Sequence, residues 1–245
     1  MRFSGRHILI TGGTSGIGLA GARGIAADGG TVVVTGRSPQ RAERAQAALP
    51  DGVRIITNDA ASPETGRELR DALGEDRRLD GIWFNAGQAD LSPIDAVTPE
   101  FFDRLMHANV RGPMLQLAAL ADLLADGAAI VLTASTSAYE RAPLTSVYSA
   151  TKGAMLSLAR CWAEALAPRG IRVNTIVPGP IATGLRDFLP DATRSAFETE
   201  VIGQVPLGRI GMPEESAAVA LFLLSDAASY VTGSQYAVDG GMLMR

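Results

Sequence analysis

The sequence predicts an α/β chain built on a doubly wound parallel sheet, about seven strands in one layer with helices on both faces. Three observations carry that reading. Short β-branched runs alternate with longer stretches of helical spacing along the whole chain. Several of the runs are apolar at successive positions, as strands covered by helices on both faces must be. No linker, repeat, charge block or low-complexity segment interrupts the alternation.

Taken in order, the candidate strands are HILIT (7–11), TVVVT (31–35), VRIIT (53–57), GIWF (81–84), AIVLTA (129–134), IRVNTIV (171–177) and QYAVD (235–239). Helical spacing fills the intervals, as in RAERAQAAL, FFDRLMHANV and GAMLSLARCWAEAL. Strands separated by helices of this length imply right-handed crossovers between parallel neighbours. The whole chain, 1–245, therefore reads as a single Rossmann-type dinucleotide-binding domain. A long irregular stretch follows the sixth strand, with prolines at 178, 180, 190 and 206. Irregular segments of that size in compact domains are usually lids or binding elements, which places a substrate lid at about 183–212.

Composition narrows the function. A net charge of −4 lacks the basic face that nucleic-acid binding needs. No apolar run approaches the roughly 18–20 residues that span a bilayer, and the apolar run HILI near the start is too short for a secretory signal. One cysteine, Cys161, allows no internal disulfide, so a cytoplasmic protein is expected. Within its helical stretch Cys161 reads as a small core residue. The two histidines, His7 and His107, form no metal-ligand cluster with it, and no metal is expected.

HILITGGTSGIGLAGA is a strand, a glycine-rich turn and a helix start. Glycine lets the backbone approach an anion closely, and the helix start offers unpaired N–H groups and a positive dipole end. Gly12, Gly16 and Gly18 in the pattern T-G-x-x-x-G-x-G, with Thr14, Ser15 and Ile17 between them, are therefore candidate phosphate-cradling residues. At the end of the second strand, NAD-binding folds usually carry an acid for the ribose 2′-hydroxyl, whereas an arginine accommodates a 2′-phosphate. Here Gly36 and Arg37 stand where the acid is expected, and Arg37 with Ser38 favours NADP(H) over NAD(H). On this logic Gly36→Asp should shift the preference toward NAD.

Tyr148 and Lys152 in SVYSATKGAM are four residues apart near a helix start, so they share one face. Lys152 is the single lysine among 22 basic residues. A free tyrosine titrates near pKa ~10, and a fixed cation beside it stabilises the phenolate. Lysine also brings rotatable donors on a slender stem, suited to a ribose hydroxyl. Tyr139 has no such partner, because Pro143 stands four residues on.

These motifs together resemble the short-chain dehydrogenase/reductase family over essentially the full length, in its 3-oxoacyl-ACP reductase-like or carbonyl reductase-like branch. TGGTSGIG is similar to that family's cofactor loop and YSATK to its catalytic helix; NAG (85–87), ANVRG, LTASTSA and NTIVPGPIAT follow in the family's order. The resemblance implies a catalytic set of Asn109, Ser135, Tyr148 and Lys152. Ser135 precedes Tyr148 by 13 residues, the family's spacing, which selects it over Ser137. It also implies that Asp59 and Ala60 lie beside the adenine, and that Asn85, Ala86 and Gly87 support the cofactor. Pro178 and Gly179 would follow the sixth strand at the cofactor, with Thr183 and the backbone of Ile181 holding the carboxamide. Asn109 would organise a water relay to Lys152, and the chain would form a homotetramer through GAMLSLARCWAEAL and the C-terminal GGMLMR. Phe84 replaces the family's usual second asparagine, and Ala60 a commoner aliphatic residue. LADGAAIVLTA lacks the basic residues frequent in acyl-carrier-protein reductases, although VPLGRIGMPEE and YVTGSQYAVDGG resemble that subfamily.

The function expected is an NADPH-dependent carbonyl (keto) reductase, with Tyr148 as acid/base and Ser135 orienting the carbonyl oxygen. An NAD(P)-dependent dehydrogenase of a secondary alcohol, sugar or polyol is the alternative, and a catalytically silent dinucleotide sensor a remote one. Leu185, Phe188, Leu189 and Phe197 of the lid, with Gln88, Tyr139 and Leu144, are expected to line a largely apolar substrate pocket.

Overall fold

The computed structural model describes residues 1–74, 78–186, 190 and 198–244. The chain runs β1 (His7–Thr11), α1 (Gly16–Ala27), β2 (Thr31–Gly36), α2 (Pro39–Ala48), β3 (Arg54–Thr57), α3 (Thr65–Leu73) and β4 (Leu79–Phe84). It continues with α4 (Pro99–Met106), α5 (Gly112–Leu120), β5 (Leu124–Thr133), α6 (Ser146–Leu166), β6 (Arg172–Pro178), α7 (Pro213–Leu224) and β7 (Gln235–Val238). The strands form one seven-stranded sheet in the order β3-β2-β1-β4-β5-β6-β7, and every neighbouring pair is parallel.

Strand residues divide by parity between two cores, as the two-residue side-chain period requires. Ile8, Ile10, Val32, Val34, Trp83 and Val131 pack under α1 and α7. Leu9, Val33, Ile82, Phe84, Ile130 and Leu132 pack on the opposite face under α3, α5 and α6. The predicted strands are all present. Two begin earlier than the sequence suggests: Leu79 of β4 pairs with Leu124 of β5, and the register then shifts to Gly81 opposite Ala129. The stretch Ala125–Asp126–Gly127 lies at this irregularity, with Gly127 at φ +78°.

Helix α6 presents Tyr148, Lys152, Met155, Ala159 and Ala163 to the interior at helical spacing. Cys161 lies on its outer face and is exposed, which overturns the expectation that it is a core residue. Two positions beyond Ala159 on a helix turns a side chain about 200° away from the buried stripe. Between α4 and α5 the chain winds as a π-helical turn, His107–Arg111, a feature frequent at functional sites. This turn carries Asn109.

Helix α1 approaches the sheet closely because Gly21 has no side chain, and Trp83 fills the space beside it. A Cβ on Gly21 would stand 2.2 Å from Trp83 Cζ3. Gly21→Ala should therefore destabilise the fold by about 1–3 kcal/mol through overpacking, seen as a lower urea midpoint with unchanged slope. A midpoint equal to wild type would contradict this packing.

Candidate active site

Strand β1 lies between β2 and β4, so the order reverses at β1 and opens a crevice at the carboxyl ends of β1 and β4. One side chain ties the crevice together. Thr11 Oγ1, at the end of β1, accepts from the N–H groups of both Asn85 (3.0 Å) and Ala86 (3.1 Å). The glycine turn then folds over β4: a Cβ on Gly12, which has φ +66°, would stand 2.7 Å from Ala86 Cα. Ser15 occupies the N-cap of α1 without a side-chain capping bond. First-turn N–H groups are left for an outside acceptor.

A cleft of about 580 Å³ runs along this crevice. Its wall is formed by the turn (Gly12, Thr14, Ser15, Gly16, Ile17), by Arg37 and Ser38 after β2, and by Asp59 and Ala60 after β3. Asn85, Ala86 and Gly87 after β4, then Ser135, Tyr148 and Lys152, continue it, and Pro178 at the end of β6, with Gly179, Ile181 and Thr183 beyond it, closes it. The fold thus gathers nearly every residue singled out in the sequence. Gly18 and Asn109 stand one layer behind. A Cβ on Gly18 would meet Asn85 Nδ2 and the Gly12 carbonyl oxygen, each at 2.6 Å, so this glycine serves packing.

At the end of the cleft that holds the candidate catalytic residues, Tyr148 is 8% exposed and Lys152 5%. Lys152 Nζ donates to the Thr133 carbonyl oxygen at 3.0 Å and lies 5.7 Å from the Tyr148 ring centroid. Burial, by desolvating the ammonium, lowers its pKa to about 8. Ser135 Oγ accepts from the Ser137 N–H at 3.2 Å, which orients its side chain. Asn109 Oδ1 accepts from the Gln88 N–H, and Nδ2 donates to the Gln88 carbonyl oxygen and to Thr151 Oγ1, at 2.8, 2.8 and 3.0 Å.

Thr133 joins this end to the core. Its Oγ1 accepts from Trp83 Nε1 at 2.9 Å and donates to Asn85 Oδ1 at 3.3 Å, while Asn85 Nδ2 reaches the Gly12 carbonyl oxygen at 3.2 Å. At the far end, buried Gln116 of α5 donates to Asn58 Oδ1 (3.0 Å) and Thr65 Oγ1 (2.9 Å). That network holds the turn that presents Asp59 and Ala60.

Several cleft residues were not singled out in the sequence. Arg41 stands one helical turn beyond Arg37, a spacing that was visible, and neither guanidinium has an ion pair among the described residues. Asp90 and Arg104 also line the cleft and pair at 2.8 Å, with Arg104 over the Phe101 ring. Only the fold brings the segment after β4 to helix α4. Of the expected apolar substrate pocket, Gln88 and Leu185 line the cleft. Tyr139 and Leu144 do not: both are exposed, and Tyr139 hydrogen-bonds Gln235 instead. Phe188, Leu189 and Phe197 lie outside the described residues. Among the described residues, no three His, Cys, Asp or Glu side chains gather into a metal site, and no helix is long and apolar enough to cross a membrane.

Residues 12–243 match a family model described as enoyl-(acyl carrier protein) reductase. An oxidoreductase, asL5, of Sarocladium schorii is 36% identical, over 98% of this chain and 97% of its own. The chain belongs to the short-chain dehydrogenase/reductase family. It is an NAD(P)-dependent oxidoreductase acting on alcohol or carbonyl groups. Among solved structures, a short-chain dehydrogenase/reductase of Brucella melitensis titled as glucose/ribitol dehydrogenase superposes with a TM-score of 0.91. It is 31% identical and covers 100% of this chain and 99% of that one. A gluconate 5-dehydrogenase of Burkholderia cenocepacia, solved with NADP and tartrate, gives 0.88 at 29% identity, covering 100% and 97%.

The buried lysine of this family member makes its stability pH-dependent. The unfolded chain keeps the Lys152 proton up to the ordinary value of 10.5, whereas the folded one releases it near 8. Between those values the unfolded state binds more protons, so stability rises with pH. Urea unfolding of the cofactor-free protein should show wild type gaining on Lys152→Met as pH increases through that window. A constant difference between the two would contradict it.

Proposed function

We propose that this chain is an NADPH-dependent carbonyl reductase in which Tyr148 exchanges a proton with the substrate oxygen. The observation that carries the reading is the buried Lys152 ammonium, which shares one cleft with Tyr148, Ser135 and the phosphate turn. The dinucleotide fits the residues present. The uncapped start of α1 suits its pyrophosphate, and Arg37, Arg41 and Ser38 suit a 2′-phosphate; Asp59 and Ala60 stand at the adenine end. Ile181 and Thr183, beside Pro178 and Gly179, complete the nicotinamide end.

When bound, the nicotinamide supplies hydride exchange at the carbinol carbon. The chain supplies the rest. Tyr148 Oη gives its proton to the developing alkoxide, and Ser135 Oγ hydrogen-bonds the same oxygen and orients it. Lys152 stabilises the resulting phenolate and holds the ribose with its remaining N–H donors. The space left by the absent Gly87 side chain lies 3.3 Å from Lys152 Nζ and 3.4 Å from Asn109 Oδ1. That oxygen keeps a free lone pair beyond its bond to Gln88, which suits a water passing protons to the lysine. Alcohol oxidation uses the same groups in reverse.

A dehydrogenase of a hydroxyl-rich alcohol, sugar or polyol is the second reading. The Asp90–Arg104 pair in the cleft wall favours it, since a neutral ion pair offers both donors and acceptors to hydroxyl groups. The segment 183–212, of which 187–189 and 191–197 lie outside the described residues, is read as a lid over a single domain; at its base Gly211 N–H donates to the Pro180 carbonyl oxygen at 2.9 Å. A cytoplasmic homotetramer accompanies this reading. Gly153, inside α6, has open space where a side chain would begin, with nothing within 4 Å of a hypothetical Cβ. A helix-interior glycine costs about 0.5–1 kcal/mol relative to alanine, so close approach of a second chain gives it a purpose.

Initial rates over a panel of ketones and alcohols should be higher with NADPH than with NADH; equal efficiency would remove the cofactor assignment. Tyr148→Phe should lower turnover by about 10³-fold while NADPH binding persists, and Lys152→Arg should be crippled despite its conserved charge. A Tyr148→Phe enzyme of near wild-type turnover would overturn the acid/base role. Sedimentation should give a four-chain mass that Gly153→Arg reduces, and a monomeric wild type would refute the assembly.

A further inference from the structure

The glycine turn and strand β2 meet through two reciprocal pairs of a glycine and a β-branched residue. A Cβ on Gly13 would stand 2.6 Å from both Cβ and Cγ1 of Val34. A Cβ on Gly36 would stand 2.3 Å from Thr14 Oγ1, 2.7 Å from Cγ2 and 3.0 Å from Cβ. Where the turn lacks a side chain the strand supplies one, and where the strand lacks one Thr14 fills the space.

Thr14 has no easy retreat. It is 7% exposed, and rotation about χ1 leaves its own Cβ in the crowded position. The neighbouring Gly13 N–H donates to the Thr35 carbonyl oxygen at 2.9 Å, which fastens the turn to β2 beside it. Moving Thr14 aside therefore means lifting the backbone that presents the start of α1 to a phosphate. Position 36 is also where an acid for the ribose 2′-hydroxyl would stand at the end of the second strand.

We infer that Thr14 is a specificity-determining residue for the dinucleotide: its side chain occupies the room that any side chain at position 36 needs, and so excludes an acid there. The absence of the acid is imposed from the phosphate turn. Gly36→Asp alone, expected from the sequence to move the preference toward NAD, instead forces Thr14 and the turn apart. Replacing Thr14 as well makes room for the carboxylate. The steric coupling stands on these contacts alone; only its effect on cofactor choice rests on the NADPH reading.

The test is a double-mutant cycle of Thr14→Ala and Gly36→Ala, read by NADPH dissociation constants. With Thr14 present, Gly36→Ala should weaken binding by at least about tenfold, and in the Thr14→Ala background by less than about threefold, since contacting residues couple non-additively. Equal factors in the two backgrounds, or a harmless Gly36→Ala beside Thr14, would overturn the inference. The thermal midpoints of the four cofactor-free proteins read the same coupling if Gly36→Ala folds poorly. A double variant that loses the sum of the single losses overturns it. For cofactor choice, the NADH-to-NADPH efficiency ratio should be at least about tenfold higher in Thr14→Ala/Gly36→Asp than in Gly36→Asp; an equal ratio counts against Thr14. A wild type without preference for NADPH would overturn the NADPH reading and leave the alanine cycle to decide the coupling.

Discussion

At its glycines between Gly12 and Gly21 the main chain passes nearer to β2, to β4 and to the segment after β4 than any side chain would allow. Hypothetical Cβ atoms on Gly12, Gly13, Gly18 and Gly21 would fall 2.7 Å from Ala86, 2.6 Å from Val34, 2.6 Å from Asn85 and 2.2 Å from Trp83. That approach brings the carboxyl ends of β1, β2 and β4 and the start of α1 to one place. The crevice exists because these segments converge there, and the rest of the site is arranged around it. Protein interiors pack too densely for such contacts to be loosened locally without cost.

The candidate catalytic end of the cleft depends on the same sheet. Thr133 takes the Trp83 indole N–H from one core, holds Asn85 under the glycine turn, and gives its carbonyl oxygen to Lys152. Trp83 is thus both the wall against which α1 packs and an anchor for the residue that holds the lysine. Asn109 works similarly from the π-helical turn, fixing the backbone of Gln88 next to Gly87. A buried ammonium is expensive in a low-dielectric interior, so Lys152 needs the fixed Thr133 carbonyl oxygen beside it. Satisfying the lysine and shaping the cleft are a single arrangement.

Much of this was legible in the sequence because it is local or periodic. The strands show as β-branched runs, the phosphate turn as TGGTSGIG, and Tyr148 with Lys152 as neighbours on a helix face. Ser135 needed the family spacing, since Ser137 is chemically equivalent. Other features depend on pairs far apart in the chain. Asp90 meets Arg104 only because the segment after β4 lies against α4, and Thr133 becomes a hub only when β4 and β5 align. Cys161 failed for a different reason: an apolar helical stretch does not reveal which of its sides faces inward. Tyr139 and Leu144, placed in a pocket on chemistry alone, turned out on the surface.

By itself, then, the sequence determined the parallel sheet, the glycine-rich turn and the set of candidate reacting groups. Periodicity and short motifs encode backbone conformation, and conformation within one turn or helix needs no distant partner. Tertiary structure decided what surrounds those groups. It buried Lys152 until its pKa fell to about 8, set Asp90 beside Arg104 in the cleft wall, and pressed Thr14 into the space over Gly36. Desolvation, ion pairing and steric exclusion are all relations between separate segments, and they come into being only when the sheet closes.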